Sequence, residues 1–315
     1  MQSSAKVPEL HTPLMVVDNV WVKLEYQNPS GSIKDRVARH VLTERLRTGA
    51  LKEGEEVVEP TSGNAGIALA FWARKLDLRA VVFMPENMTE ERKRMIRDHG
   101  ARLELTPEAE GVVGAIQRAR EYAEAAPARS LLDQFEDQAA VDAQAGLGRE
   151  IQRQAKTVGI RGFDLVVAGV GTGGTLVGAG GFLKSQHPPT RLIALEPEAS
   201  PCVCKGLFGR DVPPPSVRPV FDTPAAVCHL QEGIGDGLVP GIVRRARQLL
   251  DDAILVSDHE AIEETRRLHK LGWPVGPSSG TNMIVARRFA KEGKRVLTFF
   301  CDRIDRYRSL PEFKA

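Results

Sequence analysis

Residues 20–24 alternate in the two-residue period of a strand, with Val20, Val22 and Leu24 on one side and Lys23 on the other. From there short apolar runs, glycine-bearing turns and helical stretches follow one another. Residues 55–59 read as a strand that runs through Thr61-Ser62-Gly63-Asn64 into a helix carrying Ile67, Ala68, Leu69, Ala70 and Phe71. Residues 79–84 and 102–105 read as strands, 89–99 and 111–125 as helices. The pattern resumes with a strand over 164–169, a glycine-rich turn, a helix over 175–185 and a strand over 191–196. Such alternation predicts an α/β fold with mainly parallel sheets and helices on both faces. A boundary near residue 145 leaves a sheet on either side, giving two three-layer α/β/α domains, 1–145 and 146–315, with a ligand cleft between them. Residues 201–224, which include Pro213, Pro214 and Pro215, read as a long surface excursion.

Composition narrows the partners. The 43 Lys and Arg against 41 Asp and Glu leave a net charge of +2, with no long run of one sign to hold nucleic acid or an anionic membrane. No stretch approaches the 18 uninterrupted apolar residues of a membrane span, and the opening MQSSAKVPELHTP lacks a secretory apolar core, so a cytoplasmic protein is expected. Cys202, Cys204, Cys228 and Cys301 are too few for a disulfide framework, and no second pair completes Cys202-x-Cys204 as a metal site. Free thiols and no metal are expected.

Three loops carry candidate chemistry. Gly169-Val170-Gly171-Thr172-Gly173-Gly174-Thr175 follows a strand, opens a helix and satisfies G-x-G-x-x-G, with Glu196 ending the next strand where a dinucleotide fold places its ribose-binding carboxylate. A nicotinamide-dependent oxidoreductase is one reading. The loop's shared physics is only phosphate capture by backbone N–H groups and a helix dipole, and Thr172 and Thr175 add hydroxyls that suit the monoester phosphate of a smaller cofactor. Thr61-Ser62-Gly63-Asn64 offers hydroxyls, an amide and N–H groups at a helix start, as a carboxylate site or as an ordinary capped turn. Gln134 could add an amide to the same anion. Gly276-Pro277-Ser278-Ser279-Gly280-Thr281-Asn282 reads as a loop before a third helix, whose serines could cap it.

In NPSGSIKDR, residues 28–36, Ser32 and Asp35 fit an S-x-x-D capping box with Ser32 as N-cap. Lys34 then falls in the first helical turn, where the dipole opposes its charge and favours the neutral amine. A neutral amine is what a Schiff base with a carbonyl cofactor requires; the alternative is a surface lysine one turn into a helix.

Five blocks in order, NPSGSIKDR, EPTSGNAGIALA at 59, GVGTGGT at 169, EGIGDG at 232 and GPSSGTN at 276, resemble the cysteine synthase branch of the tryptophan-synthase-β-like (fold type II) pyridoxal-phosphate enzymes. The likeness runs from Thr12 to Tyr307. It implies that pyridoxal 5'-phosphate is held by Lys34, which also takes the substrate's Cα proton. It places the phosphate on Gly171, Thr172, Gly173, Gly174 and Thr175, the ring's 3′ oxygen on Asn64 and the pyridine nitrogen near the Ser278 hydroxyl. A hydroxyl there makes a milder electron sink than a carboxylate would, which suits β-elimination followed by addition at Cβ, through an α-aminoacrylate, better than transamination. Thr61, Ser62, Gly63, Asn64, Ala65, Gln134 and Gly233 would surround the substrate. The resemblance implies a β-replacement on an O-activated L-serine, foremost O-acetyl-L-serine with sulfide; cystathionine β-synthase, O-phosphoserine and non-sulfide variants stay open. It also implies a homodimer, a serine acetyltransferase as potential partner, a catalytic core without haem or regulatory segments, and the first ~35 residues crossing to the second domain.

Three places depart from the family pattern. Ala65 stands where relatives have a threonine, the 301–307 segment replaces one that usually begins with proline and carries a glycine, and the loop with Lys205, Arg210 and Arg218 is unlike the common one. These departures bear on the leaving group and the acceptor.

Overall fold

The computed structural model describes residues 8–210 and 229–314; Cys228, Arg218 and Pro213 to Pro215 lie outside them. An antiparallel hairpin, β1 (Leu14–Val17) and β2 (Val20–Lys23), precedes helix α1 (Lys34–Thr48). A run of parallel units follows: β3 (Glu56–Pro60), α2 (Asn64–Lys75), β4 (Arg79–Pro85), α3 (Glu90–Asp98), β5 (Arg102–Thr106), α4 (Gly111–Glu124) and β6 (Arg129–Leu131). Helix α5 (Gln138–Thr157) leads to β7 (Leu165–Gly169), α6 (Gly181–Gln186), β8 (Arg191–Pro197), α7 (Cys202–Phe208), α8 (Gly241–Arg245), β9 (Asp252–Val256), α9 (Asp258–Lys270), α10 (Pro277–Lys291) and β10 (Val296–Phe299). One sheet has the order β5-β4-β3-β6, all parallel. The other has the order β1-β2-β10-β7-β8-β9, and among the described residues its one antiparallel strand pair is the hairpin.

Both sheets are covered on both faces. Val57, Val82 and Met84 pack with Val41 and Leu42 of α1 and Ala68 and Trp72 of α2, while Val58, Val81 and Phe83 turn the other way onto Ala115 and Ala119 of α4. In the larger sheet Val166, Ala168, Leu192 and Ala194 meet α5 and α6, and Leu165, Val167, Ile193 and Leu195 meet α9 and α10. The near-continuous burial of these strands is what a parallel sheet with two helical layers demands. Helix α5 joins both cores: Ala140, Val141 and Ala143 belong to the first, Leu147, Ile151 and Ala155 to the second. We propose that the chain divides into two lobes where core membership changes within α5, with the hairpin belonging to the second lobe.

Several local expectations differ from the structure. Lys23 is buried, because β2 is internal; its amine reaches Gln154 (2.8 Å) and Glu150. Half of the expected capping box forms, the Asp35 carboxylate accepting from the Ser32 N–H (3.4 Å), while the Ser32 hydroxyl turns to Lys34 instead of the Asp35 N–H. α1 begins at Lys34, Ser32 Oγ accepts from the Lys34 N–H (3.3 Å), and the Asp35 carboxylate accepts from the Ser30 N–H (3.1 Å), the Ser30 hydroxyl (2.6 Å) and the Trp72 indole (2.8 Å). A buried carboxylate with these donors on offer binds them in preference to a solvated cap. Residues 277–282 form the first turns of α10 instead of a preceding loop, and Ser279 accepts from the Cys301 N–H (3.0 Å) instead of capping. Residues 202–208 are helical, with Val203 and Cys204 buried.

Arg36 ties α1 to the segment after β2 and to α5. Its guanidinium is bidentate on Glu25 (Nε 2.6 Å, Nη2 2.8 Å) and donates to Glu150 (2.8 Å), while Thr12 and Asn28 donate to the same Glu25. All three charged groups are buried. Arg36→Met leaves Glu25 buried without its cation and Glu150 with Lys23 alone, so urea unfolding should show a loss of about 3–5 kcal/mol; a loss below about 1 kcal/mol, the value of a surface pair, would contradict this account.

Candidate active site

Lys34 opens α1 at the point where the two sheets face each other. Its amine donates to Gln134 Oε1 (2.8 Å), in the loop after β6, and to Thr172 Oγ1 (3.4 Å), in the glycine loop after β7. A small cavity surrounds it, lined by Lys34, Thr61, Ser62, Asn64, Ala65, Arg92, Gln134, Phe135, Thr172, Gly233 and Asp236. Loops at the carboxyl ends of β3, β6 and β7 thus meet at one place, as an α/β fold with facing sheets dictates. The structure therefore brings Lys34, Thr61, Ser62, Asn64, Ala65, Gln134, Thr172 and Gly233 together. Among the described residues, Gly63, Gly171, Gly173, Gly174, Thr175 and Ser278 do not line the cavity. Gly63 backs onto Arg92, the glycines form the turn behind Thr172, and Ser278 is buried in the first turn of α10.

The glycine turn is shaped for close backbone approach. A side chain at Gly171 would come within 2.7 Å of the Gly233 carbonyl, and Gly173 takes φ +80° with Val243 filling the space a side chain would need. Thr175 then opens a π-helical turn, Thr175–Gly180, which continues as α6. Glu196 is spent elsewhere: its carboxylate accepts from the Val203 (2.7 Å) and Cys204 (2.9 Å) N–H groups at the start of α7. A carboxylate so occupied does not serve a ribose, which removes the physical basis of the oxidoreductase reading.

Burial lowers the Lys34 pKa from its ordinary value, against the opposing pull of Asp236, Glu59 and Cys301. The neutral amine is therefore available at lower pH than in a solvated lysine. Glu59, the last residue but one of β3, is buried, and neither carboxylate oxygen has a hydrogen-bond partner. Burial drives its pKa up to about 8, with the charges of Lys34 and Arg45 opposing. Asn64 donates to Asp302 Oδ2 (2.6 Å), and Tyr307 donates to the same oxygen. The Asn64 Oδ1 is left buried without a partner. Arg92 lies 4.7 Å above the Tyr307 ring and forms an ion pair with Glu232.

Asp236, Arg92, Phe135, Glu59 and Asp302 were missed by motif reading. Glu59 and Asp236 sit inside two of the quoted blocks, and an acid among residues otherwise chosen for backbone geometry was the available signal. Arg92 carries no such signal, since its helix reads as an ordinary amphipathic one. Among the described residues no cluster suits a metal ion and no helix is long and apolar enough to cross a membrane.

With its folded pKa above the ordinary 4.5, Glu59 keeps a proton in the folded state that the unfolded chain has released. Stability attributable to this site is therefore greatest at acid pH and falls as pH rises from about 4.5 to 8. Relative to Glu59→Gln, the wild type should lose stability by up to about 1.4 kcal/mol per pH unit across that window in urea titrations; parallel pH profiles would show that Glu59 is already ionised.

A sequence model described as pyridoxal-phosphate dependent enzyme matches residues 6–302. A cysteine synthase of Staphylococcus aureus is 39% identical over 300 residues, covering 93% of this chain and 88% of its own length. Among solved structures, an O-acetylserine dependent cystathionine β-synthase from Helicobacter pylori has 33% identity and a TM-score of 0.82, covering 96% of this chain and 95% of its own. An O-ureido-L-serine synthase has 33% identity and a TM-score of 0.81, covering 96% and 92%.

Proposed function

The chain belongs to the pyridoxal-phosphate dependent enzymes of fold type II, and from that premise we propose that its cleft carries out β-replacement on O-acetyl-L-serine, with sulfide as acceptor and L-cysteine and acetate as products. The observation that carries this reading is the buried Lys34 amine, held between a carboxylate-type loop and a phosphate-type loop. The residues present fit the cofactor: the turn at Gly171 and Gly173 leaves a cradle that side chains would fill, and Asn64 Oδ1 is a buried polar atom without a partner. Lys34 would hold the cofactor; Gly171 to Thr175 would take its phosphate, Asn64 its 3′ oxygen and Ser278 its pyridine nitrogen. Bound there, the cofactor supplies an electron sink for the substrate's Cα.

The protein's own groups do the rest. Thr61, Ser62, Asn64, Gln134 and the N–H of Ala65, the last at the N-terminus of α2, hold and orient the substrate carboxylate where the helix dipole favours an anion. Gly63 and Gly233 allow the substrate close to the backbone. Lys34, whose pKa burial lowers, takes the Cα proton as acetate leaves Cβ, and returns it once the nucleophile has added. The same cleft supports other donors and acceptors, and the Asp302 and Tyr307 contacts with Asn64 and Arg92 place the unusual 301–307 segment directly behind the substrate loop. We also propose a cytoplasmic homodimer able to bind a serine acetyltransferase, which rests on the family likeness alone.

Holoenzyme given O-acetyl-L-serine, O-phospho-L-serine or L-serine, each with sulfide, should release cysteine fastest from the first; no product from any of them would sink the proposal. Ala65→Thr adds a hydroxyl beside the carboxylate loop at a site only 9% exposed. It should change the donor KM by up to about tenfold, a difference of some 1.4 kcal/mol, while leaving kcat within about threefold. A collapse of kcat would show that Ala65 touches the chemistry itself.

A further inference from the structure

Asp236 is a titratable group in the cavity that the reaction as described leaves unused. It sits in Glu232-Gly233-Ile234-Gly235-Asp236-Gly237, whose three glycines have φ of +95°, +69° and +78°. That backbone drives Ile234 into the interior beneath Gly169 and leaves Asp236 on the cavity wall, facing Lys34. The segment is fixed by the Gly235 N–H donating to the Val170 carbonyl (2.9 Å), so Asp236 is set against the glycine turn; a side chain at Gly171 would meet Asp236 Oδ2 at 3.5 Å.

The other acids near the cofactor site are committed. Asp302 accepts from Asn64 and Tyr307, Glu232 pairs with Arg92, and Glu59 lies on the far side of Lys34, outside this cavity. Among the described residues Asp236 makes no salt bridge. The charged or polar groups that face it are Lys34 from α1, Ser62 from the loop after β3, Arg92 from α3 and His229 from its own segment. Burial raises its pKa, and each of those four neighbours draws it back down.

The proton inventory leaves a vacancy for a base. When acetate departs with its bonding pair, Lys34 holds the proton taken from Cα and is an ammonium. It cannot accept a second proton, and it needs the first to complete the amino acid. A nucleophile that arrives uncharged, Nu–H, must still lose its own proton as its lone pair forms the bond to Cβ. We propose that Asp236 is a catalytic residue of the second half-reaction: its carboxylate takes that proton, so the enzyme uses uncharged protic acceptors, thiols or hydrogen sulfide itself, and not only pre-ionised ones. Overall, O-acetyl-L-serine and Nu–H give the β-substituted alanine, acetate and one proton, which is the acceptor's and leaves through Asp236 to solvent. The ammonium of Lys34 opposite favours the ionised carboxylate at the moment the base is required.

This inference rests on the β-replacement reading, and one experiment separates the two. Wild-type and Asp236→Asn holoenzyme are mixed with O-acetyl-L-serine, acetate release is followed in a single turnover, and product formation is then timed with two thiols at neutral pH. Mercaptoethanol is almost wholly protonated and thionitrobenzoate wholly ionised. Asp236→Asn should slow mercaptoethanol addition by about 10²-fold or more while leaving thionitrobenzoate addition within about threefold. The wild-type rate with mercaptoethanol should fall on the acid side as Asp236 is protonated, and in Asp236→Asn should instead track ionisation of the thiol. Asp236→Ser, which keeps a small polar side chain, should show the same selectivity if the asparagine variant folds poorly. Equal losses with both thiols in both variants, or no loss with either, would overturn the inference; failure of the wild type to release acetate would instead overturn the β-replacement reading.

Discussion

A lysine amine placed at the positive end of a helix and buried is the constraint on which the rest of the structure depends. Both the helix dipole and the loss of water act against its charged form. A chain that needed only a well-capped α1 would not put a cation there. The surroundings show how firmly the position is specified. Asp35, the next residue, is held by Ser30 and by the Trp72 indole of α2; Arg36, the one after, is locked between Glu25 and Glu150. Three consecutive side chains thus bind three parts of the molecule, and Lys34 has one direction left, into the cleft.

The cleft follows from the topology. Two sheets built largely from parallel strands bring their loops to the same side, and the hairpin's pairing with β10 carries the start of the chain across to the second sheet before α1 returns to the first. Lys34 therefore lies at a crossing between sheets and receives hydrogen-bond partners from each, Gln134 from one and Thr172 from the other. Relative motion of the lobes would alter both contacts together. Three carboxylates lie around the cleft. Glu59, Asp236 and Asp302 all have pKa values raised by burial, that of Glu59 up to about 8. That composition suits chemistry in which protons are moved twice, at Cα and at the acceptor.

Much of the fold was legible in periodicity, because strands buried on both faces and helices with one apolar stripe leave unlike patterns. The family was legible because five loops recur in order. What escaped reading was decided by tertiary partners. Glu196 has the right spacing for a ribose, yet the α7 N–H groups claim it. Lys23 looks like an outward strand position, yet Glu150 lies behind it. Asp236 is indistinguishable in sequence from a turn aspartate until three positive-φ glycines turn it toward Lys34. Ser278, expected in a loop, lies within a helix because Pro277 can start α10 one residue earlier.

The central claim is that Lys34 is the residue that holds pyridoxal phosphate. Borohydride reduction of the purified holoenzyme, followed by proteolysis and peptide mass analysis, tests it most directly. The account predicts a single phosphopyridoxyl addition on the peptide containing Lys34, together with loss of both the addition and the visible absorbance in Lys34→Ala. Modification of another lysine, or a coloured and modifiable Lys34→Ala protein, would contradict it.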